Sequence, residues 1–339
     1  MTGCQRILAV LRGEPVDRLP MLPILHTGLA GPCGVALGDF FTRADVMADV
    51  LTEGVRRFGF DGVQLTLGVT GEAEALGAAV EQPADGGPVL REHLLADPGR
   101  LDVLRARDPT QGGRMPLFFD AVARASRRVA GYTFVLATLR GPLLVASQLR
   151  GVEEILIDLI ERPDLAERIL DFTCGVIASL ARALRPAGAH GLLLGEATCS
   201  PNFISPDLYR QTVLPRHRRL VSQLKADGWP FVGLHVCGNI VPIFDDLIST
   251  GVDFFDVDYQ VPAARAVELA AGRVALRGNL DPSGGFRFGT AEQIRAETTA
   301  LCAAVTGARW IAGSGCDIPP GTPAANLAAF AEVVRGYTE

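Results

Sequence analysis

Short apolar runs alternate with longer amphipathic stretches along most of the chain. The runs have the length and the Val, Ile, Leu and Phe content of strands, whereas the stretches between them have the three-to-four-residue apolar spacing of helices. This alternation predicts β/α units whose strands form a parallel sheet. The predicted strands lie at residues 19–25, 62–67, 133–138, 190–194, 231–234, 253–258, 274–279 and 309–312.

Eight β/α units in a chain of 339 residues predict a TIM (β/α)8 barrel, and we expect residues 1–339 to form a single domain. Residues 77–109 depart from the pattern because they are charged and interrupted by Gly and Pro. This composition indicates a hairpin and excursion inserted after the second strand. An open doubly wound sheet is the alternative architecture, but the chain lacks the G-x-G-x-x-G phosphate loop typical of that fold.

Composition narrows the classes of function. Hydrophobic residues make up 48% of the chain and charged residues 21%, as in globular proteins with a large core. The net charge of -6, without a basic cluster, argues against nucleic-acid binding. Charged residues or prolines interrupt every long apolar stretch, and the N-terminus lacks the order of a signal peptide, so we expect a cytoplasmic protein without a membrane span.

Cysteine and histidine residues suggest the chemistry. His235 and Cys237 follow the fifth predicted strand, two residues apart, so their side chains point to the same face. Cys316 follows the eighth strand in a Gly/Pro-rich turn, and the seven cysteines form no C-x-x-C pair. Strand ends meet at one face of a barrel, so these three residues predict a zinc site. In the alternative interpretation they are buried packing residues.

Other polar residues also fall at the predicted strand ends, where a barrel has its active site. We assign Glu196 and Asp258 to catalysis, with Asp258 as a fourth zinc ligand that the substrate displaces. The alternative role for Asp258 is a salt bridge or a helix cap. The residues assigned to cofactor binding are His26, Arg140, Asn239 and Asn279.

Several longer motifs resemble the uroporphyrinogen decarboxylase superfamily and, within it, the corrinoid-dependent methyltransferases. The resemblance covers nearly the whole chain and implies a TIM barrel with its active site in the mouth. The motifs are Leu-Arg-Gly-Glu-Pro-Val-Asp-Arg-Leu-Pro at residues 11–20, Ile-Ser-Pro-Asp-Leu-Tyr at 204–209, Gly-Asn-Leu-Asp-Pro at 278–282 and Ile-Pro-Pro-Gly-Thr-Pro at 318–323.

The resemblance favours the methyltransferase branch. The decarboxylases have an arginine-rich first loop and a catalytic aspartate, but residues 26–31 contain no arginine and Gly68 takes the aspartate's place. The His-x-Cys-Gly-Asn motif, with a cysteine before Ile-Pro-Pro, is similar to the zinc motif of methylcobamide:coenzyme M methyltransferases. The resemblance thus implies His235, Cys237 and Cys316 as zinc ligands.

The leading hypothesis is zinc-dependent transfer of a methyl group from a methylcobamide to a thiol such as coenzyme M, or to tetrahydrofolate. The chain has no Asp-x-His-x-x-Gly motif, so the corrinoid is expected free, as methylcobalamin, or on a separate corrinoid protein. One alternative is a lyase with another substrate, in which Glu196 or Asp256 replaces the missing aspartate. The other is a non-catalytic binder of tetrapyrroles or corrinoid proteins. The acceptor, the original methyl donor and the oligomeric state stay open.

Overall fold

A parallel seven-stranded sheet forms the centre of the protein in the computed structural model, which describes residues 1–337. The strands are β1 Gly62–Leu65, β2 Val80–Glu81, β3 Val89–Leu90, β4 Phe134–Arg140, β5 Gly191–Gly195, β6 Val232–His235, β7 Phe254–Val257, β8 Ala275–Leu280 and β9 Trp310–Ser314. Hydrogen bonds join the strands of the seven-stranded sheet in the order β1-β4-β5-β6-β7-β8-β9, and this sheet is curled.

Helices connect the strands and cover the outside of the sheet, as expected of β/α units. One helix precedes the first strand, and several short helices lie in the loops. The α-helices are α1 Gly3–Arg12, α2 Leu37–Thr42, α3 Ala44–Phe58, α4 Gly71–Ala75, α5 Leu101–Arg105, α6 Met115–Val129, α7 Pro142–Arg150, α8 Val152–Glu161, α9 Pro163–Leu184, α10 Pro206–Leu208, α11 Leu214–Ala226, α12 Phe244–Ser249, α13 Ala263–Ala270, α14 Ala291–Ala304 and α15 Ala324–Gly336. Within residues 1–337, no helix is long and apolar enough to cross a membrane.

The predicted first strand is the one strand that does not form. It makes a single parallel bridge, between Met21 and Ala312 of β9, and the carbonyl of Met21 accepts a hydrogen bond from the N–H of Asp61 beside β1. Pro20 and Pro23 have no N–H to donate, so the segment cannot form a regular ladder. It nevertheless joins β9 to the β1 side, and the barrel fold predicted from the sequence is confirmed with seven regular strands.

The inserted hairpin is confirmed as well. Strands β2 and β3 pair antiparallel in a separate two-stranded sheet, and α5 follows them before the chain returns to the barrel at α6. The strands of the barrel are buried almost throughout, since helices cover one face and side chains fill the other. In TIM barrels the polar groups of the active site lie in the loops that follow the carboxyl ends of the strands.

Candidate metal centre

Two strand ends carry the three predicted metal ligands. His235 is the last residue of β6, and Cys237 follows it in a loop that turns at Gly238, whose φ of 82° is in the left-handed region. Cys316 lies two residues beyond the end of β9. Strands β6 and β9 are not neighbours in the sheet, so it is the curvature of the barrel that brings their ends together.

The donor atoms of these residues form a compact triangle. Nε2 of His235 lies 3.1 Å from Sγ of Cys237 and 3.8 Å from Sγ of Cys316, and the two sulfur atoms are 3.9 Å apart. Tetrahedral zinc with Zn–S bonds of about 2.3 Å and Zn–N bonds of about 2.0–2.1 Å needs donor separations of roughly 3.5–3.8 Å. All seven cysteines are free thiols. The triangle therefore fits a zinc ion with only small adjustments of the side chains.

A chain of buried polar groups orients the imidazole. Nδ1 of His235 lies 2.9 Å from Oδ2 of Asp256, so the hydrogen on Nδ1 points to the carboxylate and Nε2 faces the sulfur atoms. Asp256 in turn accepts two hydrogen bonds of 2.7 Å from Arg277. Arg277 donates to Gln64, and Gln64 donates to Thr138. Carboxylate–histidine contacts of this type fix the orientation of metal-binding histidines.

The thiols of Cys316 and Cys237 have pKa values shifted in opposite directions when no metal is bound. The hydrogen bond from Cys237 lowers the pKa of the Cys316 thiol to about 4, although burial opposes this shift. The same hydrogen bond and burial raise the pKa of Cys237. Burial is the strongest single influence on the pKa of Asp256 and raises it, but the charges and hydrogen bonds of Arg277 and His235 together lower it by more, so that the net shift is downward. Zinc binding requires both thiolates and therefore displaces the remaining proton.

The triangle opens into a cavity of about 420 Å³ at the carboxyl ends of the strands. Nearby polar groups in the cavity come from His26, Gln64, Thr66 and Arg140. Most of the remaining wall is apolar, and its side chains include Ile24, Phe41, Val69, Leu144, Leu193 and Pro320. Three protein ligands beside an open cavity are the arrangement of catalytic zinc sites, which keep a fourth position for substrate.

Two of the four predicted cofactor-binding residues line this cavity. His26 is buried, and its Nδ1 lies 2.9 Å from Oδ1 of Asp317. Arg140 ends β4, and its guanidinium donates to the carbonyl of Gly68 and to the hydroxyl of Thr66. Their predicted role in binding a cofactor stays a prediction.

The other two lie outside the cavity and hold backbone. Asn239 is exposed, and its Oδ1 accepts a hydrogen bond from the N–H of Val241. Asn279 is buried on β8, where its amide donates to the carbonyl of Val261. Both amides therefore stabilise loops at the mouth, and their predicted contact with a cofactor stays untested.

The predicted catalytic carboxylates also lie outside the cavity. Oδ2 of Asp258 accepts a hydrogen bond of 2.9 Å from Gly238 N–H, and Oδ1 accepts one from Gln260 N–H, so the side chain anchors the loop after Cys237. Glu196 is fully buried behind β5. Hydrogen bonds hold its carboxylate at the N-terminus of α7 and away from the cavity, and its predicted catalytic role stays a prediction.

Glu196 belongs to a second cluster that the sequence analysis did not foresee. Its oxygens accept hydrogen bonds from the N–H groups of residues 143 and 144 and lie 2.9 Å from Nε2 of His217. Nδ1 of His217 lies 3.1 Å from the hydroxyl of Tyr209. Burial and the neighbouring Glu196 raise the pKa of the Cys199 thiol well above its ordinary value. His217 lies within a helix and outside any motif, so the sequence carried no signal for this cluster.

Comparison with known proteins identifies the family. The sequence pattern described as uroporphyrinogen decarboxylase (URO-D) matches residues 2–337. A methylcobamide:CoM methyltransferase MtaA of Methanosarcina barkeri is 26% identical, over 96% of this chain and 95% of the relative. A uroporphyrinogen decarboxylase of Burkholderia thailandensis is 28% identical, over 87% of this chain and 84% of the relative.

A solved structure, described as a methyltransferase from Methanosarcina mazei, superposes with a TM-score of 0.91 at 27% identity. The superposition covers 99% of this chain and 98% of the other. The similarity therefore extends over the barrel, the inserted hairpin and the loops that carry His235, Cys237 and Cys316. The chain belongs to the uroporphyrinogen decarboxylase (URO-D) family.

Proposed function

We propose that this protein is a zinc-dependent methyltransferase that moves a methyl group from a methylated corrinoid to a thiol. One observation carries the proposal: Nε2 of His235 and the sulfur atoms of Cys237 and Cys316 lie 3.1–3.9 Å apart, close to the separations of zinc ligands, and face an open cavity. A site of two thiolates and one imidazole suits zinc, because thiolates are soft ligands and imidazole is a borderline one.

Overall identity does not choose between the two branches, since a methyltransferase and a decarboxylase are 26% and 28% identical to this chain. Individual residues support the methyltransferase. Gly68 has a φ of 82°, a conformation that an aspartate would adopt only with strain. The two residues that could replace the catalytic aspartate of the decarboxylases are engaged elsewhere, because Asp256 binds Arg277 and Glu196 is fully buried. Neither residue therefore presents a free carboxyl group to the cavity.

The cavity residues have defined tasks in methyl transfer. Asp256 holds the imidazole of His235 with Nε2 toward the cavity, and the mostly apolar wall surrounds the space beside it. Zinc in this donor set would stabilise the thiolate form of the acceptor. The thiolate sulfur then attacks the methyl carbon of the corrinoid. The S–C bond forms while the Co–C bond breaks, and its electron pair stays on cobalt.

The relatives inform the choice of substrates. The named relatives include methylcobamide:CoM methyltransferases and a methylated-thiol–coenzyme M methyltransferase of Methanosarcina mazei. By analogy we propose a thiol acceptor such as coenzyme M, with tetrahydrofolate as the other acceptor to test. The methyl donor is methylcobalamin or a corrinoid protein encoded separately, and the reaction takes place in the cytoplasm.

Loss of methyl from methylcobalamin, followed by the change in its visible spectrum, tests the proposal. The zinc-loaded protein is expected to demethylate methylcobalamin with at least one acceptor in a panel of coenzyme M, other thiols and tetrahydrofolate. Uroporphyrinogen serves as the matched alternative substrate and is expected to stay intact. Formation of coproporphyrinogen at an enzymatic rate, with no demethylation by any acceptor, would contradict the proposal.

A further inference from the structure

His26 has an unusual environment within the cavity. Its side chain is buried, yet Nε2 forms no hydrogen bond with any residue that the structure describes. Oδ1 of Asp317 lies 2.9 Å from Nδ1 but is not aligned for a hydrogen bond, and it is buried without another partner as well. Burial of a polar atom without a partner is destabilising, so such atoms persist where something else stabilises them or where they serve a ligand.

The position of His26 indicates a ligand. His26 directly follows the segment that joins β9 to β1, and both His26 and Asp317 line the same cavity as Cys237 and Cys316. Asp317 is the neighbour of Cys316 in sequence. The unpartnered imidazole nitrogen thus belongs to the wall of the space that the thiol acceptor must enter under the proposed function.

A thiol that enters this cavity brings a proton that must leave. Ordinary thiols have a pKa of about 8.5 and are protonated at neutral pH. Two thiolate ligands already balance the charge of a zinc ion, so the ion alone acidifies a third thiol less than a cationic site would. A proton acceptor within the cavity therefore assists binding.

Elimination among the charged and titratable groups of the cavity leaves His26. The guanidinium of Arg140 has only donor groups and already donates to Gly68 and Thr66, and His235, Cys237 and Cys316 are occupied as ligands. The carboxylate of Asp317 is engaged with His26 itself, since its Oδ1 lies 2.9 Å from Nδ1 of the imidazole. When the imidazole hydrogen is on Nδ1, which faces Asp317, the lone pair of Nε2 is free to accept a proton.

We propose that His26 is the catalytic proton acceptor for the thiol substrate. The S–H bond of the thiol breaks, the proton moves to Nε2 of His26, and the electron pair stays on sulfur. Asp317 stabilises the imidazolium because its carboxylate lies 2.9 Å from Nδ1. This role rests on the proposed function and goes beyond it, since it names the residue that makes the thiol a nucleophile.

The number of protons released on thiol binding tests this role without any methyl transfer. Calorimetric titration of the zinc-loaded protein with coenzyme M or 2-mercaptoethanol, in buffers of different ionisation enthalpy, gives that number at neutral pH. The wild-type protein is expected to release clearly less than one proton per bound thiol, because His26 keeps it. His26→Gln is expected to release one proton and to bind the thiol at least tenfold more weakly.

Two further variants make the test specific. His93→Gln removes the same group from an exposed position, where Nδ1 contacts the carbonyl of Gln148, and should behave as wild type. Asp317→Asn keeps the shape of the wall and should raise proton release toward one, which gives a second measurement should His26→Gln fold poorly. Equal proton release from wild type and both cavity variants, with equal zinc content, overturns the role of His26. Failure of wild type to bind either thiol contradicts the proposed function itself, and the role of His26 with it.

Discussion

Two compact clusters of potential metal ligands lie within residues 1–337, and they differ in what surrounds them. His235, Cys237 and Cys316 form one, and Glu196, Cys199 and His217 form the other. In each cluster the donor atoms lie within 4.8 Å of one another. The first opens into the cavity at the mouth, whereas all three residues of the second are buried.

The difference lies in the bonds that are already made. In the second cluster, the Glu196 oxygens accept backbone hydrogen bonds at α7, and His217 uses one nitrogen on Glu196 and the other on Tyr209. A metal ion there would have to break these bonds. In the first cluster Asp256 holds only Nδ1 of His235, and Nε2 and the sulfur atoms contact one another. Short distances between donor types therefore identify a metal site only when the donors are not satisfied by protein groups.

The largest expected effect comes from removal of one ligand of the first cluster. Cys316→Ala is expected to lower the affinity for zinc by more than the roughly 10–100-fold that follows when a group hydrogen-bonded to a ligand is removed. Methyl transfer should be lost together with the zinc. The fold should persist, because Cys316 lies in a loop at the mouth. Metal content after gel filtration and circular dichroism measure the two properties.

Cys302→Ala is the matched control, because it removes the same group from a buried position on α14. It should retain zinc and turnover and change only the free energy of unfolding. If Cys316→Ala keeps both zinc and full activity, the first cluster is not the metal site.

The next effect concerns the support of the first cluster. The double variant Asp256→Asn/Arg277→Met removes the buried ion pair behind His235 while leaving no unpaired charge, so the fold should tolerate it. Zinc affinity, measured by competition with a chelator, is expected to fall about 10–100-fold. Unchanged affinity would show that Asp256 does not orient the imidazole.

The second cluster should respond in stability alone. Glu196→Gln replaces an oxygen acceptor by an amide donor opposite the N–H groups of α7, and is expected to cost about 1–3 kcal/mol in the free energy of unfolding. Urea denaturation measures the loss. Zinc stoichiometry should stay as in wild type, and a drop in zinc content would indicate that this cluster also holds metal.

The smallest effect is a difference in thiol reactivity in the metal-free protein. The pKa of Cys316 is lowered to about 4, so this residue is a thiolate above that pH and loses reactivity as the pH falls through it. The pKa of Cys199 is raised by burial, so it stays a thiol at neutral pH. Alkylation at slightly acid pH, mapped by mass spectrometry, should therefore label Cys316 before Cys199, and added zinc should protect Cys316. Equal labelling of both would contradict the assigned charges.

The sequence was sufficient for the features that repeat or cluster. Alternating apolar runs predicted the barrel, and Gly/Pro content predicted the inserted hairpin. The i, i+2 spacing of His235 and Cys237 placed both side chains on one face, and the turn after β9 brought Cys316 to the same place. The structure unites these three residues, while their binding of zinc stays a prediction.

Features that depend on distant contacts escaped prediction. Pro20 and Pro23 lie in an apolar run that looks like a strand, but their missing N–H groups matter only once the neighbouring strands are known. The contacts of Glu196 come from α7 and α11, which no local pattern connects to β5. Arg277 is a charged residue inside a buried strand and therefore requires a buried partner, but the local sequence does not identify that partner as Asp256.

X-ray absorption at the zinc edge tests the central claim most directly, since it counts the atoms bound to the metal. The zinc-loaded protein is expected to show two sulfur ligands at about 2.3 Å and nitrogen or oxygen ligands at about 2.0–2.1 Å. Addition of a thiol acceptor should raise the count to three sulfur ligands. A metal without sulfur ligands, or a sulfur count that a bound thiol leaves unchanged, would contradict the account.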